Sequence, residues 1–114
     1  MADNLPDIIE NQLLDALVGT STYSVTGAIK LRLMTANGSD ASAGTEVTGG
    51  SYVAQTIAFT TASSGAIENS GAISFTGMPA VTVVGIEIYD SAGSPKRLLY
   101  GALTSPRTVT AGDT

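Results

Sequence analysis

Val81-Thr82-Val83-Val84-Gly85-Ile86-Glu87-Ile88-Tyr89 carries the strongest strand signal in the chain, and Asp90-Ser91-Ala92-Gly93-Ser94-Pro95 follows it directly. β-Branched and aromatic side chains suit a pleated, half-buried surface, whereas Asp, Gly, Ser and Pro are turn formers. Within the run, Val84, Ile86 and Ile88 alternate with their neighbours and are expected to form the buried edge. Residues 98–103 (Leu-Leu-Tyr-Gly-Ala-Leu) return from the turn as a second strand. A hairpin of this kind places the chain in the mainly β class.

The same period extends outward. In 28–35, Ile29, Leu31 and Leu33 alternate with Lys30, Arg32 and Met34, which predicts a half-buried strand with its basic residues outward. Residues 37–51 are small, polar and glycine-rich and read as a long loop. A further strand is expected over 52–60, with Val53, Ile57 and Phe59 on one face. Ser64-Gly65-Ala66-Ile67 recurs six residues on as Ser70-Gly71-Ala72-Ile73, which points to a local hairpin or paired short strands rather than a solenoid. At the end, Val109-Thr110 begins an extended segment and Gly112-Asp113 signals a turn, so a closing strand is expected from another subunit or from a longer chain.

The N-terminal segment has a different period. Leu5, Ile8, Ile9, Leu13, Ala16 and Leu17 recur at three- and four-residue steps and predict an amphipathic helix over about 5–18. Asp3 and Asn4 are capping types, Pro6 suits a first turn, Asp7 and Glu10 complement the positive end of the helix dipole, and Gly19 stops the helix. The expected architecture is one domain spanning 1–114: an antiparallel β-sandwich-like fold with one N-terminal amphipathic α-helix.

Composition excludes more than it suggests. The chain has 114 residues and no histidine, cysteine or tryptophan; charged residues make up 13% and the net charge is −5. The usual general base and the usual transition-metal ligands are therefore absent, and no cofactor or metal is expected. Five basic residues cannot build a phosphate-binding surface, so no nucleic-acid partner is expected. No run approaches a membrane span, and the acidic start does not resemble a secretory leader. With two Phe and four Tyr the core is thin, which favours help from further copies of the chain.

Each apparent site has a simpler reading. Asp90-Ser91-Ala92-Gly93-Ser94 offers one carboxylate where a calcium loop needs several, and it reads as a turn. Glu87 and Asp90 lie at a strand end and are expected to be solvated rather than an acid/base pair. The serines lack a base, no S-x-x-K spacing occurs, and Thr48-Gly49-Gly50-Ser51 lacks the G-K-[ST] of a phosphate loop. Asn37-Gly38-Ser39 matches a glycosylation sequon in a chain without a secretory signal. Tyr23, Tyr52, Tyr89 and Tyr100 are candidates for a sugar platform, but core packing or a Tyr89–Tyr100 cross-strand pair explains them more simply.

Three stretches together resemble a known family. They are 10–17 (ENQLLDAL), 44–55 (GTEVTGGSYVAQ) and 98–104 (LLYGALT), and the G-T-E-V-x-G-G-x-Y-x-x-Q block is the most specific. In that order they resemble small tailed-phage virion proteins labelled tail fibre or minor tail proteins, some relatives of which decorate the head as minor capsid proteins. The resemblance implies a non-enzymatic structural component of a virion, made in the host cytoplasm. Its implied partners are major capsid or tail proteins and further copies of itself. Leu5, Ile9 and Leu13 of the helix stripe, with Glu46 and Tyr52 of the G-T-E-V-x-G-G-x-Y-x-x-Q block, are the expected assembly contacts, and 37–51 is the expected variable loop. The rival expectation is a carbohydrate-binding adhesin module that recognises the host surface.

Overall fold

The computed structural model describes residues 4–114. The elements run in order α1 (Asp7–Leu17), β1 (Lys30–Ala36), β2 (Thr45–Glu46), β3 (Gln55–Thr56), β4 (Val81–Tyr89) and β5 (Arg97–Val109). The five strands form one antiparallel sheet in the order β2-β1-β4-β5, with β3 paired to the same side of β1 as β2. The fold is thus mainly antiparallel β with a single N-terminal helix, as the sequence leads one to expect. A second layer lies over the sheet, but extended segments build it rather than a second ladder. In it the only bridges among the described residues outside the strands are Phe59–Asn69 and Ser63–Ala66.

Register explains how the layers divide. Leu31 faces Ile88, which faces Leu99, and Leu33 faces Ile86; these positions share the apolar side of the sheet. Ile57, Phe59, Ile73 and Phe75 from the covering segment pack on Leu31 and Ile88. Val47, Met78 and Val83 form an adjoining cluster with Leu33, Tyr52, Phe75 and Leu103. Phe75 touches both clusters, so it joins them into one core. Truncating Ile88 to alanine there costs about 2–5 kcal/mol by the usual cavity penalty.

On the opposite side of the sheet, Arg32 faces Glu87, which faces Tyr100, and Lys30 faces Tyr89, which faces Arg97. The sequence suggests that Lys30, Arg32 and Met34 point to solvent. Met34 is instead fully buried, and Arg32 lies over the Tyr89 ring at 3.8 Å from its centre. This side is not open to solvent: the 37–44 loop folds back on it, with Gly44 N–H on Glu87 and the Ser39 and Asp40 carbonyls on Arg97.

β4 matches its expected limits, but its buried positions differ. Val83, Gly85, Glu87, Ile88 and Tyr89 are buried, while Val84 and Ile86 are only half so. An irregularity causes this. Val83 stands opposite Arg107 and Gly85 opposite Ala102, so residues 103–106 of β5 answer Val84 alone. Beyond it, Val83 joins the apolar side with Leu33 and Met78. Pro106 cannot donate a ladder hydrogen bond, and an edge strand is where that loss is tolerated.

Other expectations shift for local reasons. The strand expected over 52–60 shrinks to β3, with Val53 exposed and Ile57 turned into the core. β5 runs well past residue 103 to Val109. The first Ser-Gly-Ala-Ile copy is the exposed tip of the 59–69 hairpin, whereas Ile73 of the second copy packs in the core. The Gly112-Asp113 turn is tied within the chain. Gly112 N–H donates to the Met78 carbonyl at 2.7 Å, and Met78 N–H donates to that of Asp113 at 2.9 Å.

The helix begins at Asp7, with Pro6 in the cap position and no side-chain cap. Asp3 lies outside the described residues, and Asn4 is engaged elsewhere: its side-chain amide donates to the Tyr100 carbonyl and its own carbonyl accepts from Tyr100 N–H. A first-turn helix N–H has no partner within its own helix. Here the Asp7 N–H donates to the Asp40 carbonyl at 3.0 Å, so the 37–44 loop serves as the cap. Gly19, at φ +80°, ends the helix as anticipated.

Candidate interaction surface

The polar side of the sheet is a satisfied network centred on Glu87, which is 1% exposed. Its Oε2 accepts from Gly44 N–H at 2.7 Å and pairs with Arg97 Nη1 at 3.3 Å. Its Oε1 accepts from the Tyr89 hydroxyl at 2.9 Å. Arg97 continues to the carbonyls of Ser39 and Asp40 and lies over the Tyr100 ring, while the Tyr100 hydroxyl bonds the Asp40 carboxylate. Gly38 and Gly44 let two stretches of this loop cross: a Cβ added at Gly38 would sit 2.7 Å from Gly44 N. Burial, with a smaller contribution from the Glu87 contact, pushes the Tyr89 hydroxyl up to about 12.

Asp90 is also buried, at the head of the β4–β5 turn. It accepts from Lys96 N–H at 2.8 Å and from the N–H groups of Ala92 and Thr26. The Lys96 hydrogen bond, more than any other cause, holds its carboxyl below the ordinary aspartate range. The expectation of two solvated carboxylates at a strand end is therefore corrected. Both are buried and both serve the backbone: Glu87 holds the distant Gly44 N–H, and Asp90 holds the distant Thr26 N–H together with the nearby Ala92 and Lys96 N–H groups.

Glu46 and Tyr52 come together: the Tyr52 hydroxyl donates to Glu46 Oε2 at 2.8 Å and accepts from Leu33 N–H at 3.0 Å. Tyr52 also stacks on Phe75, with ring centres 5.8 Å apart. Burial above all raises its phenol well beyond the usual range. Glu46 pairs with Arg32 at 3.6 Å. Tyr23 lies under Lys96, 4.6 Å from the ring centre. Tyr89 and Tyr100 are not a cross-strand pair, since Tyr89 faces Arg97 and Tyr100 faces Glu87.

Leu5 and Leu13 are half-buried, and Ile9 is 2% exposed. The inward helix face thus carries the residues expected to make contacts. Its outward end carries a patch the expected stripe left out in part: Leu14 is 47% exposed, Leu17 80% and Val18 71%. Their i, i+3, i+4 spacing puts them side by side. Leu14 and Val18 could have been found from that spacing alone.

Two recesses accompany the patch. An open groove of about 470 Å³ lies on the apolar side of the sheet, walled by Leu33, Phe75, Met78, Val83, Leu103 and Val109 with Arg107 beside it. A smaller polar recess of about 220 Å³ is formed by Gln12, residues 21–24 and Lys96. Among the described residues no cluster of three or more His, Cys, Asp or Glu is placed to hold a metal, and no helix is long and apolar enough to cross a membrane.

Comparison with known proteins adds the family. Residues 4–114 match the model of a family described as podophage GP4 fiber I protein gp80. No curated protein and no solved structure matches the chain. With a family match over nearly the whole chain, the protein belongs to the podophage GP4 fiber I gp80 family, a tail fibre-type family of virion proteins.

Proposed function

We propose that this chain is a non-enzymatic structural subunit of a phage tail fibre, acting by packing on neighbouring virion proteins and on further copies of itself. One observation carries the reading. The buried carboxylates are consumed in holding the fold, while the groove and the helix end left open are apolar. Membership of a fibre family favours the tail over head decoration. Leu5, Leu13, Glu46 and Tyr52 keep part of their surface and are proposed as peripheral contacts, while Ile9 holds the helix down. The test is to disassemble purified particles and quantify the protein by mass spectrometry. Recovery with tail fractions at low copy number supports the reading. Recovery with heads at hundreds of copies contradicts it.

A second reading, a glycan-binding adhesin module, is favoured only by the polar recess at Tyr23, Gln12 and Lys96. Glycan-array binding that Tyr23→Ala abolishes while particle assembly persists would select it.

A further inference from the structure

β5 is an outer strand of the sheet, and among the described residues no strand pairs with its far edge. Its register shows which groups are left there. Tyr100 N–H donates to the Asn4 carbonyl, and the Tyr100 carbonyl accepts from the Asn4 side chain at 2.8 Å, so both Tyr100 backbone groups point away from β4. Backbone groups alternate in direction along an antiparallel strand. Tyr100, Gly101 and Ala102 pair in regular register with Glu87, Ile86 and Gly85, so the Ala102 N–H and carbonyl also point outward. Among the described residues nothing meets them. Asn4 thus covers the edge at Tyr100 and leaves it open from Ala102, where Thr104, Ser105 and Arg107 are exposed as well.

An open strand edge is a template for a further extended chain. The surface beside this one fits such a chain. Leu103 and Val109 of β5 line the apolar groove with Leu33, Phe75 and Val83. Arg107 stands at the same groove and makes no hydrogen bond or ion pair among the described residues. Asp113 is turned back on the Thr110 N–H and hydroxyl at 2.8 and 2.9 Å, and Thr114 lines the groove without pairing to Arg107. The segment that matches therefore alternates apolar residues toward the groove and carries a carboxylate among them. A second β5 does not supply this, because its sequence holds two arginines and no Asp or Glu. Antiparallel self-pairing about Ala102 would also set Arg97 against Arg107, and Thr104 against the Tyr100 edge that Asn4 already fills.

We propose that the edge of β5 over 102–109 takes an extended acidic segment of a different virion protein as an added strand. The contact rests on the reading of the chain as a packing subunit and names the chemistry of its partner. Main-chain hydrogen bonds begin at Ala102, apolar side chains enter the groove, and a carboxylate meets Arg107 and sets the register. Pro106 has no N–H to give, which keeps the ladder short.

Particles of the encoding phage grown with Thr104→p-benzoylphenylalanine, irradiated intact and analysed by mass spectrometry of cross-linked peptides, test it. The expected cross-link joins position 104 to one segment of a different virion protein, with alternating apolar residues and an Asp or Glu. That segment, made as a synthetic peptide, is expected to protect the Ala102 amide from exchange in NMR spectra of the full chain. Arg107→Glu weakens peptide binding about tenfold, and a peptide with Lys in place of its carboxylate recovers it. Ala102→Pro removes the outward N–H and abolishes binding; should circular dichroism show it unfolded, the charge exchange decides. A cross-link to a second copy, none from particles that contain the protein, or a peptide indifferent to Arg107→Glu overturns the contact. A protein found on tail fibres without this cross-link leaves the fibre reading standing, whereas its absence from tails is the failure of that reading.

Discussion

Glu87 and Arg97 form an ion pair at 3.3 Å with side chains 1% and 9% exposed, and the same carboxylate holds Gly44 N–H. One side chain in the middle of β4 therefore fixes the start of β5 and the end of the 37–44 loop together. The loop in turn caps the helix through Asp40. The N-terminal half of the molecule is coupled to the sheet by this polar layer.

Breaking the pair from one side leaves a buried charge without its partner. Glu87→Leu and Arg97→Leu are each expected to cost about 3–5 kcal/mol. The double variant is expected to lose less than the sum of the two, because neither charge remains to be desolvated. Chemical denaturation of the three variants against wild type measures the coupling.

Gly85 faces the Asn37 side chain and the Gly101 carbonyl so closely that an added Cβ would overlap the Asn37 amide oxygen and fall 2.7 Å from that carbonyl. Gly85→Ala therefore displaces Asn37 or parts β4 from β5, and a loss of about 1–3 kcal/mol is expected. Unchanged stability by the same denaturation assay would show that the loop yields freely.

Acid should weaken the β4–β5 turn. The Asp90 carboxyl titrates below its ordinary value because three backbone N–H groups favour its charged form. Its contribution is complete above the unfolded aspartate value of about 3.9 and is lost as pH falls through the lower, folded value. Asp90→Asn should flatten this part of the stability–pH curve and lower stability at pH 7.

Alkali acts through the phenols. Tyr89 is raised to about 12 and Tyr52 is raised as well, both chiefly by burial. A raised value means that the folded state favours the neutral phenol, so stability is complete below about pH 10 and is lost as pH rises toward 12. Tyr89→Phe, which also removes the hydrogen bond to Glu87, is expected to cost about 1–2 kcal/mol at neutral pH and to shrink the alkaline loss. Thermal unfolding at pH 7 and 11 compares the two.

Leu17→Ser removes no buried contact, and its effect on folding stability is expected to stay within about 0.5 kcal/mol. A change in assembly or solubility with stability intact assigns Leu17 to the surface. A large loss of stability would mean that it supports the fold.

What could be read in advance followed local rules. β4, its turn, the helix and the Gly19 stop are set by side-chain period and turn chemistry within a few residues. The burial of Glu87 was not legible, because its partners Gly44 and Arg97 are brought to it only by the loop and by β5. Met34 shows the same limit: its strand alternates as if one side were solvated, yet Met34 is fully buried. β5 runs beyond the expected 98–103 to Val109, and its place at the sheet edge is what lets it carry Pro106. The candidate surface was half legible. The apolar helix was evident, but the covered face could not be told from the open one before the sheet was in place.

Immunogold electron microscopy of purified particles of the encoding phage, using antibody to this protein, tests the central claim most directly. Gold on the tail fibres is the predicted result. Gold over the head, or none on intact and disrupted particles alike, would contradict it.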